Sequence, residues 1–300
     1  MRLNLDDLET RLVEMLEDKT SALVFDTCAY HPSTLNISDE INERIDLTQC
    51  KGGKTLSNYN LLDCVRRGDF SDDTKIAIAA DINSRNQEFI TLINRVFQTY
   101  SNFLMPDQVR KELQNWVNKA EMVHYEEWKS AYLEGEKIDC KSIFSSPRKQ
   151  LFFSRIKSDG DFACVDAQYE YLKSVQKFLE AIPEKRILYN DGSPEMNSAV
   201  SFLKDIKIQT PSKGDIKIIA TSVIGAQNRE YKGIKIITFD SPYRMARNLA
   251  QEPYVNIEAE VYLGYSLLKS VYPKEMPYMV HFTIMPHRGS IARTGQPIDL

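Results

Sequence analysis

Apolar residues Leu5, Leu8, Leu12 and Met15 recur at helical spacing through an otherwise acidic opening, which predicts a helix over residues 5–18. The next run, Ala22 to Phe25, is short, continuously apolar and rich in β-formers. Bounded by polar residues, it predicts a strand buried on both faces, as in a parallel sheet, and it ends on Asp26. Residues 33–75 are polar, contain the pair Gly52-Gly53 and keep no steady period, so they read as an irregular insertion. Helical spacing returns with Ile82, Phe89, Ile90, Ile93 and Val96, predicting a helix over 81–99. After Met105-Pro106-Asp107 a further helix runs through Val109, Leu113 and Trp116 towards Tyr132. Proline near the first turn, followed by aspartate, is a common helix start.

Residues 134–163 mix Gly, Ser, Pro and Lys and predict a loop-rich region. Helical patterning covers 165–181 and 194–203. The C-terminal half then alternates: a strand at 206–209, a turn at 211–214, an apolar helix over 215–227, a strand at 234–239, a helix at 243–250 and a strand at 254–258. Strands alternating with helices imply a parallel sheet flanked by helices. The strand-like stretch Tyr278 to Ile284 falls in a Pro-punctuated tail beyond these units. The expected organisation is one α/β domain over 1–260, with insertions near 33–80 and 134–190, and a C-terminal extension over 261–300.

Composition narrows the class. With 42% hydrophobic and 27% charged residues, 300 residues can bury a sizeable core without disulfides or structural metal. No run approaches the roughly 18–20 apolar residues of a membrane span, and the charged N-terminus lacks a secretory pattern. Cys28, Cys50, Cys64, Cys140 and Cys164 form no CxxC pair and are odd in number, which suits reduced thiols in the cytoplasm. A net charge of −4 argues against holding nucleic acid by phosphate neutralisation alone. It leaves room for a nuclease, because a cation held by carboxylates inverts the local charge.

Four acids stand where chemistry would use them. In open α/β sheets, ligands bind at the carboxyl ends of strands. Asp26 directly follows one predicted strand and Asp240 another, Asp215 opens a predicted helix, and Glu112 lies early in the helix after Pro106. Taken singly, each has an ordinary reading: a helix cap, a loop residue or a charge on a solvated face. Together they would supply the oxygen ligands that Mg²⁺ or Mn²⁺ prefers.

These segments resemble the motifs of PIN-domain nucleases, and they occur in that family's order. SALVFDTCAY is similar to the family's opening strand ending in Asp-Thr/Ser, and LMPDQVRKEL to the second motif, a helix with a Glu. TPSKGDIKIIATSV resembles the third, an Asp opening an apolar helix, and IKIITFDSPYRMA the fourth, strand-Thr-x-Asp. The resemblance spans roughly residues 20–32, 80–120 and 200–260, and the gaps between motifs are longer than in compact toxin members. It implies a three-layer α/β/α PIN-like fold with a short, mostly parallel sheet, and metal-dependent hydrolysis of phosphodiesters, chiefly as an endoribonuclease. Asp26 and Asp215 would be the main Mg²⁺ or Mn²⁺ ligands, with Glu112 and Asp240 completing the site or holding water. Thr27 and Thr238 would orient a carboxylate or phosphate.

Arg244 and Arg247, following Asp240 on one predicted helix, are the best candidates for phosphate contact. The implied partner is an RNA substrate, with DNA left open. An inhibitory antitoxin-like protein and a homodimer also stay open; a membrane is not expected. Two other readings compete, a non-catalytic PIN-like scaffold and an aspartate-dependent phosphatase. The latter is weakened because Cys28 replaces the second Asp of Asp-x-Asp. Gly52-Gly53-Lys54-Thr55 resembles the tail of a phosphate-binding loop, but Thr48 stands where its first Gly belongs and no apolar strand precedes it.

Overall fold

The computed structural model of the protein describes residues 5–30, 58–194, 196–197, 200–201, 213–231, 233–238, 257–263 and 278–284. Among them the helices are α1 (Leu5–Glu17), α2 (Asn58–Arg67), α3 (Asp72–Thr99), α4 (Asp107–Ala120), α5 (Met122–Leu133), α6 (Cys140–Ile143), α7 (Pro147–Phe153), α8 (Asp159–Glu180) and α9 (Lys213–Gln227). The strands are β1 (Ser21–Phe25), β2 (Phe103–Pro106), β3 (Ile187–Leu188), β4 (Gly233–Thr238), β5 (Ile257–Leu263) and β6 (Tyr278–Ile284). The fold is α/β. The chain divides into two compact units: Met1–Arg2, His31–Ile90 and Leu113–Glu180 form one, and Leu3–Tyr30, Thr91–Glu112 and Ala181–Leu300 form the other.

The second unit holds the sheet, in the order β3-β2-β1-β4-β6-β5. The first four strands in that order are mutually parallel, whereas β6 runs antiparallel to both β4 and β5. Strand β1 is buried at every position, as its unbroken apolar run predicts for a strand with neighbours on both edges. Phe25 and Phe97 each pack against Phe103, with ring centroids 4.9 and 5.0 Å apart. Buried Asn102 donates through Nδ2 to the carbonyls of Leu16 and Ser21, both at 2.9 Å, and so pins the α1–β1 turn to the entry of β2. Strand β3 is only two residues long, yet it is held firmly. Buried Arg186 just before it donates to the carbonyls of Phe97 (3.1 Å) and Tyr100 at the end of α3, and Arg229 donates to Ile187 O at 3.0 Å. Carbonyls at a helix C-terminus lack intrahelical partners, and a guanidinium satisfies them well.

The first unit is helical. Leu61, Leu62 and Val65 of α2 form one core cluster with Ile78, Ala79 and Ile82 of α3 and Cys164 and Ala167 of α8. Lys75 crosses this cluster's end, donating to Asp161 Oδ1 (2.8 Å) and Arg66 O (3.0 Å). Tyr125 of α5 stacks on Tyr169 of α8 at 3.7 Å, and its hydroxyl donates to Asp166 at 2.6 Å.

Several expectations need correction. Within the supposed irregular stretch, residues 58–67 are helical, and α3 begins at Asp72, where Asp72 and Asp73 favour a helix N-terminus. The helix expected to reach Tyr132 breaks at Glu121, which adopts left-handed geometry (φ 55°, ψ 55°). Helices α6 and α7 occupy part of the stretch read as loop. Strands β2 and β3 had no counterpart in the sequence reading, and the strand expected at 254–258 is β5 at Ile257–Leu263. Cys64 is disulfide-bonded, contrary to the expectation of reduced thiols; Cys140 and Cys164 are free. The strand expected at 206–209 and the helix at 243–250 lie outside the described residues. Among the described residues, no helix is long and apolar enough to cross a membrane.

Candidate acidic site on the carboxyl edge of the sheet

Strand β1 has β2 on one side and β4 on the other. The chain therefore winds first one way and then the other from β1. Their carboxyl ends flank a topological switch point, where open α/β sheets bind ligands.

Asp26 is the first residue beyond β1 and is buried. Its backbone N–H donates to Ile237 O of β4 at 2.9 Å, which locks it against the neighbouring strand end. Its own Oδ1 accepts from the Thr27 N–H at 2.6 Å, and its carbonyl accepts from Ala29 N–H at 3.0 Å as the chain turns. Phe25 is in register with Ile237, so Asp26 is level with Thr238, the last residue of β4.

Helix α4 starts where β2 stops, and its second turn brings Glu112 to the same edge. Both oxygens of Glu112 are used. Thr27 Oγ1 donates to Oε2 at 2.6 Å, and Gln108 Nε2 donates to Oε1 at 2.8 Å. Thr27 thus links the two acids, one through its backbone and the other through its hydroxyl. Gln108 was not singled out by sequence reasoning. Its place four residues before Glu112 was the available signal, since such residues are neighbours on a helix face.

Asp215 is buried in the first turn of α9, a helix that packs on β2, β3, β4 and β6 of the same unit. A carboxylate there faces the positive end of the helix dipole and its unsatisfied N–H groups. Asp240, Arg244 and Arg247 lie outside the described residues, as does Gly52-Gly53-Lys54-Thr55.

Beside Glu112, buried Asp107 opens α4 and pairs with both Arg110 (2.8 Å) and Lys111. Burial alone would raise its pKa. The hydrogen bonds from Lys111 and Arg110 outweigh that and hold the carboxyl below its ordinary range.

Asp26 and Glu112 are brought together through Thr27, and Asp215 is buried in the same unit. Among the described residues, however, no three His, Cys, Asp or Glu side chains form a group that could hold a metal ion. Asp26, Glu112 and Asp215 alone are thus not a ready metal centre. Their donors are all carboxylate oxygens, which fit a hard divalent cation and not a thiolate-seeking one. No protein-family model matches the chain, and no match was found among curated proteins or solved structures.

Proposed function

We propose that the protein is a metal-dependent nuclease that hydrolyses phosphodiester bonds, acting as an endoribonuclease in a PIN-like fold. The observation that carries this reading is the Asp26–Thr27–Glu112 linkage at the carboxyl edge of β1. A buried carboxylate tied to a second one at a ligand-binding edge is a costly arrangement that a bound cation would offset.

Asp26 and Asp215 would hold Mg²⁺ or Mn²⁺, with Glu112 and Asp240 completing the set or holding water. When bound, the ion supplies Lewis acidity and a water activated for attack on phosphorus. The chain's own part is positional. The Thr27 N–H orients the Asp26 carboxylate, and Thr27 and Gln108 fix Glu112 from both oxygens. With both oxygens engaged by donors, Glu112 is held as an acceptor and suits the orientation of a water. No covalent nucleophile is required.

The test is incubation of labelled single-stranded RNA, single-stranded DNA and a small phosphomonoester with the full chain, in Mn²⁺ and in EDTA. Cleavage of RNA in Mn²⁺ alone is expected. Hydrolysis of the monoester without RNA cleavage would replace this reading with a phosphatase. A stable RNA complex without turnover in Mn²⁺ would replace it with a scaffold.

A further inference from the structure

Tyr189 is the first residue beyond β3, and it remains 42% exposed although its ring is large and apolar. The register places it on the same edge as the acids: Pro106 of β2 is level with Leu188 of β3, and Leu104 with Val24 of β1. Asp26, Asp107 and Tyr189 are each the first residue beyond β1, β2 and β3, so they leave adjacent strand ends at one edge of the sheet. Two strand spacings, about 10 Å, separate the ends of β3 and β1.

The Arg110 guanidinium lies over the Tyr189 ring, 5.8 Å from its centroid. Arg110 and Lys111 share the single buried carboxylate of Asp107, and the Lys111 side chain is 64% exposed. Glu184, which accepts from the Tyr189 hydroxyl, is a second carboxylate here, so the charges of Arg110 and Lys111 are balanced by Asp107 and Glu184. The aromatic face is therefore the element that would select a nucleotide over a bare phosphate. An exposed ring beside cations is the arrangement that binds single-stranded nucleic acid, by stacking on a base and by attraction to its phosphate.

We infer that Tyr189 and Arg110 form a nucleotide subsite for a single-stranded substrate, with Tyr189 stacking a base next to the phosphate attacked near Asp26. Arg110 and Lys111 contact the phosphate of that nucleotide. This subsite rests on the nuclease reading and names a part of it that selects single strands, since a base inside a duplex presents no free face to the ring.

The experiment measures binding of a short labelled oligouridylate to the full chain in EDTA by fluorescence anisotropy, alongside cleavage of the same oligonucleotide in Mn²⁺. Tyr189→Ala should weaken binding about tenfold, while Tyr189→Phe, which keeps the ring, stays near wild type. Unchanged affinity in Tyr189→Ala overturns the subsite; if the wild type still cleaves in Mn²⁺, the nuclease reading survives. Equal losses in Tyr189→Ala and Tyr189→Phe also overturn it, because the hydroxyl and not the ring would then matter. Failure of the wild type both to bind and to cleave overturns the subsite and the nuclease reading together.

Discussion

Thr27 Oγ1 donates a 2.6 Å hydrogen bond to Glu112 Oε2, across 85 residues of sequence. The hydroxyl joins the turn after β1 to the helix after β2, and its backbone N–H holds Asp26 in the same turn. One residue thus sets the relative placement of two acids that the chain delivers from separate strand ends.

Replacing Thr27 tests whether that placement matters. Thr27→Val removes the hydroxyl at nearly constant volume and should lower metal-dependent cleavage by about 10–100-fold. Thr27→Ser keeps the donor and should retain most activity. Steady-state rates on a labelled RNA separate the two outcomes; equal rates for Val and Ser would show that the linkage plays no part.

Gly225 of α9 lies against Leu188 of β3, and a Cβ there would meet that side chain at 3.0–3.3 Å. Gly225→Ala gains about 1 kcal/mol of helix propensity but must push Leu188 aside, so the net change should be close to zero. Gly225→Val demands more room and should destabilise by about 1–3 kcal/mol. Urea unfolding of the two variants checks the contrast. A stabilised Val variant would mean that the helix–strand approach is not close.

Lys75 should behave as a buried ion-pair partner in the helical unit. Lys75→Met strands Asp161, whose side chain is 16% exposed, and frees the Arg66 carbonyl. The expected cost is about 2 kcal/mol, below the ~3–5 of a fully buried pair because both groups keep some contact with water. Adding Asp161→Asn should restore part of the loss, a coupling that a double-mutant cycle in urea measures directly.

Asp107 predicts the shape of the acid limb of stability. Its folded pKa lies below the ordinary value because Lys111 and Arg110 hydrogen-bond to it against the opposing effect of burial. A depressed carboxylate contributes stability fully above its unfolded pKa, about 3.9, and loses it as pH falls through the folded value. Thermal unfolding between neutral pH and strong acid should show a midpoint that drops below about pH 4. Asp107→Asn should be less stable at neutral pH and flatter across that window.

The parts of the fold that were legible are those with long or unbroken apolar patterns. Ala22 to Phe25 read as a strand because a parallel strand covered on both faces needs a continuous apolar run, and Ile234 to Phe239 read as one from its β-formers although Lys235 interrupts the run. Helix α9 read from its apolar residues, though it begins at Lys213, inside the stretch expected as the turn 211–214. Strand β2 did not, because it is four residues long and ends in Pro106, which also reads as a helix start. Strand β3 is two residues held by Arg186 and Arg229, contacts that have no local pattern. The break at Glu121 was hidden because left-handed geometry usually announces itself with Gly or Asn.

The site divides the same way. The positions of Asp26 at a strand end and of Asp215 at a helix start were legible. Glu112 needed the resemblance, because a helical glutamate alone says little; its attachment to Thr27 is tertiary and left no trace in spacing. Tyr189 follows a strand too short to recognise, so its place on the same sheet edge as Asp26 and Asp107 emerges only from the strand order.

The most direct measurement of the central claim is the rate at which wild type and Asp26→Asn cleave a labelled single-stranded RNA, in Mn²⁺ and in EDTA. Asparagine keeps the shape of the side chain and removes the charge that would hold the ion. Cleavage by wild type in Mn²⁺, none in EDTA, and at least about a hundredfold loss in Asp26→Asn are the predicted result. Equal activity of the two proteins, or cleavage that persists in EDTA, would contradict it.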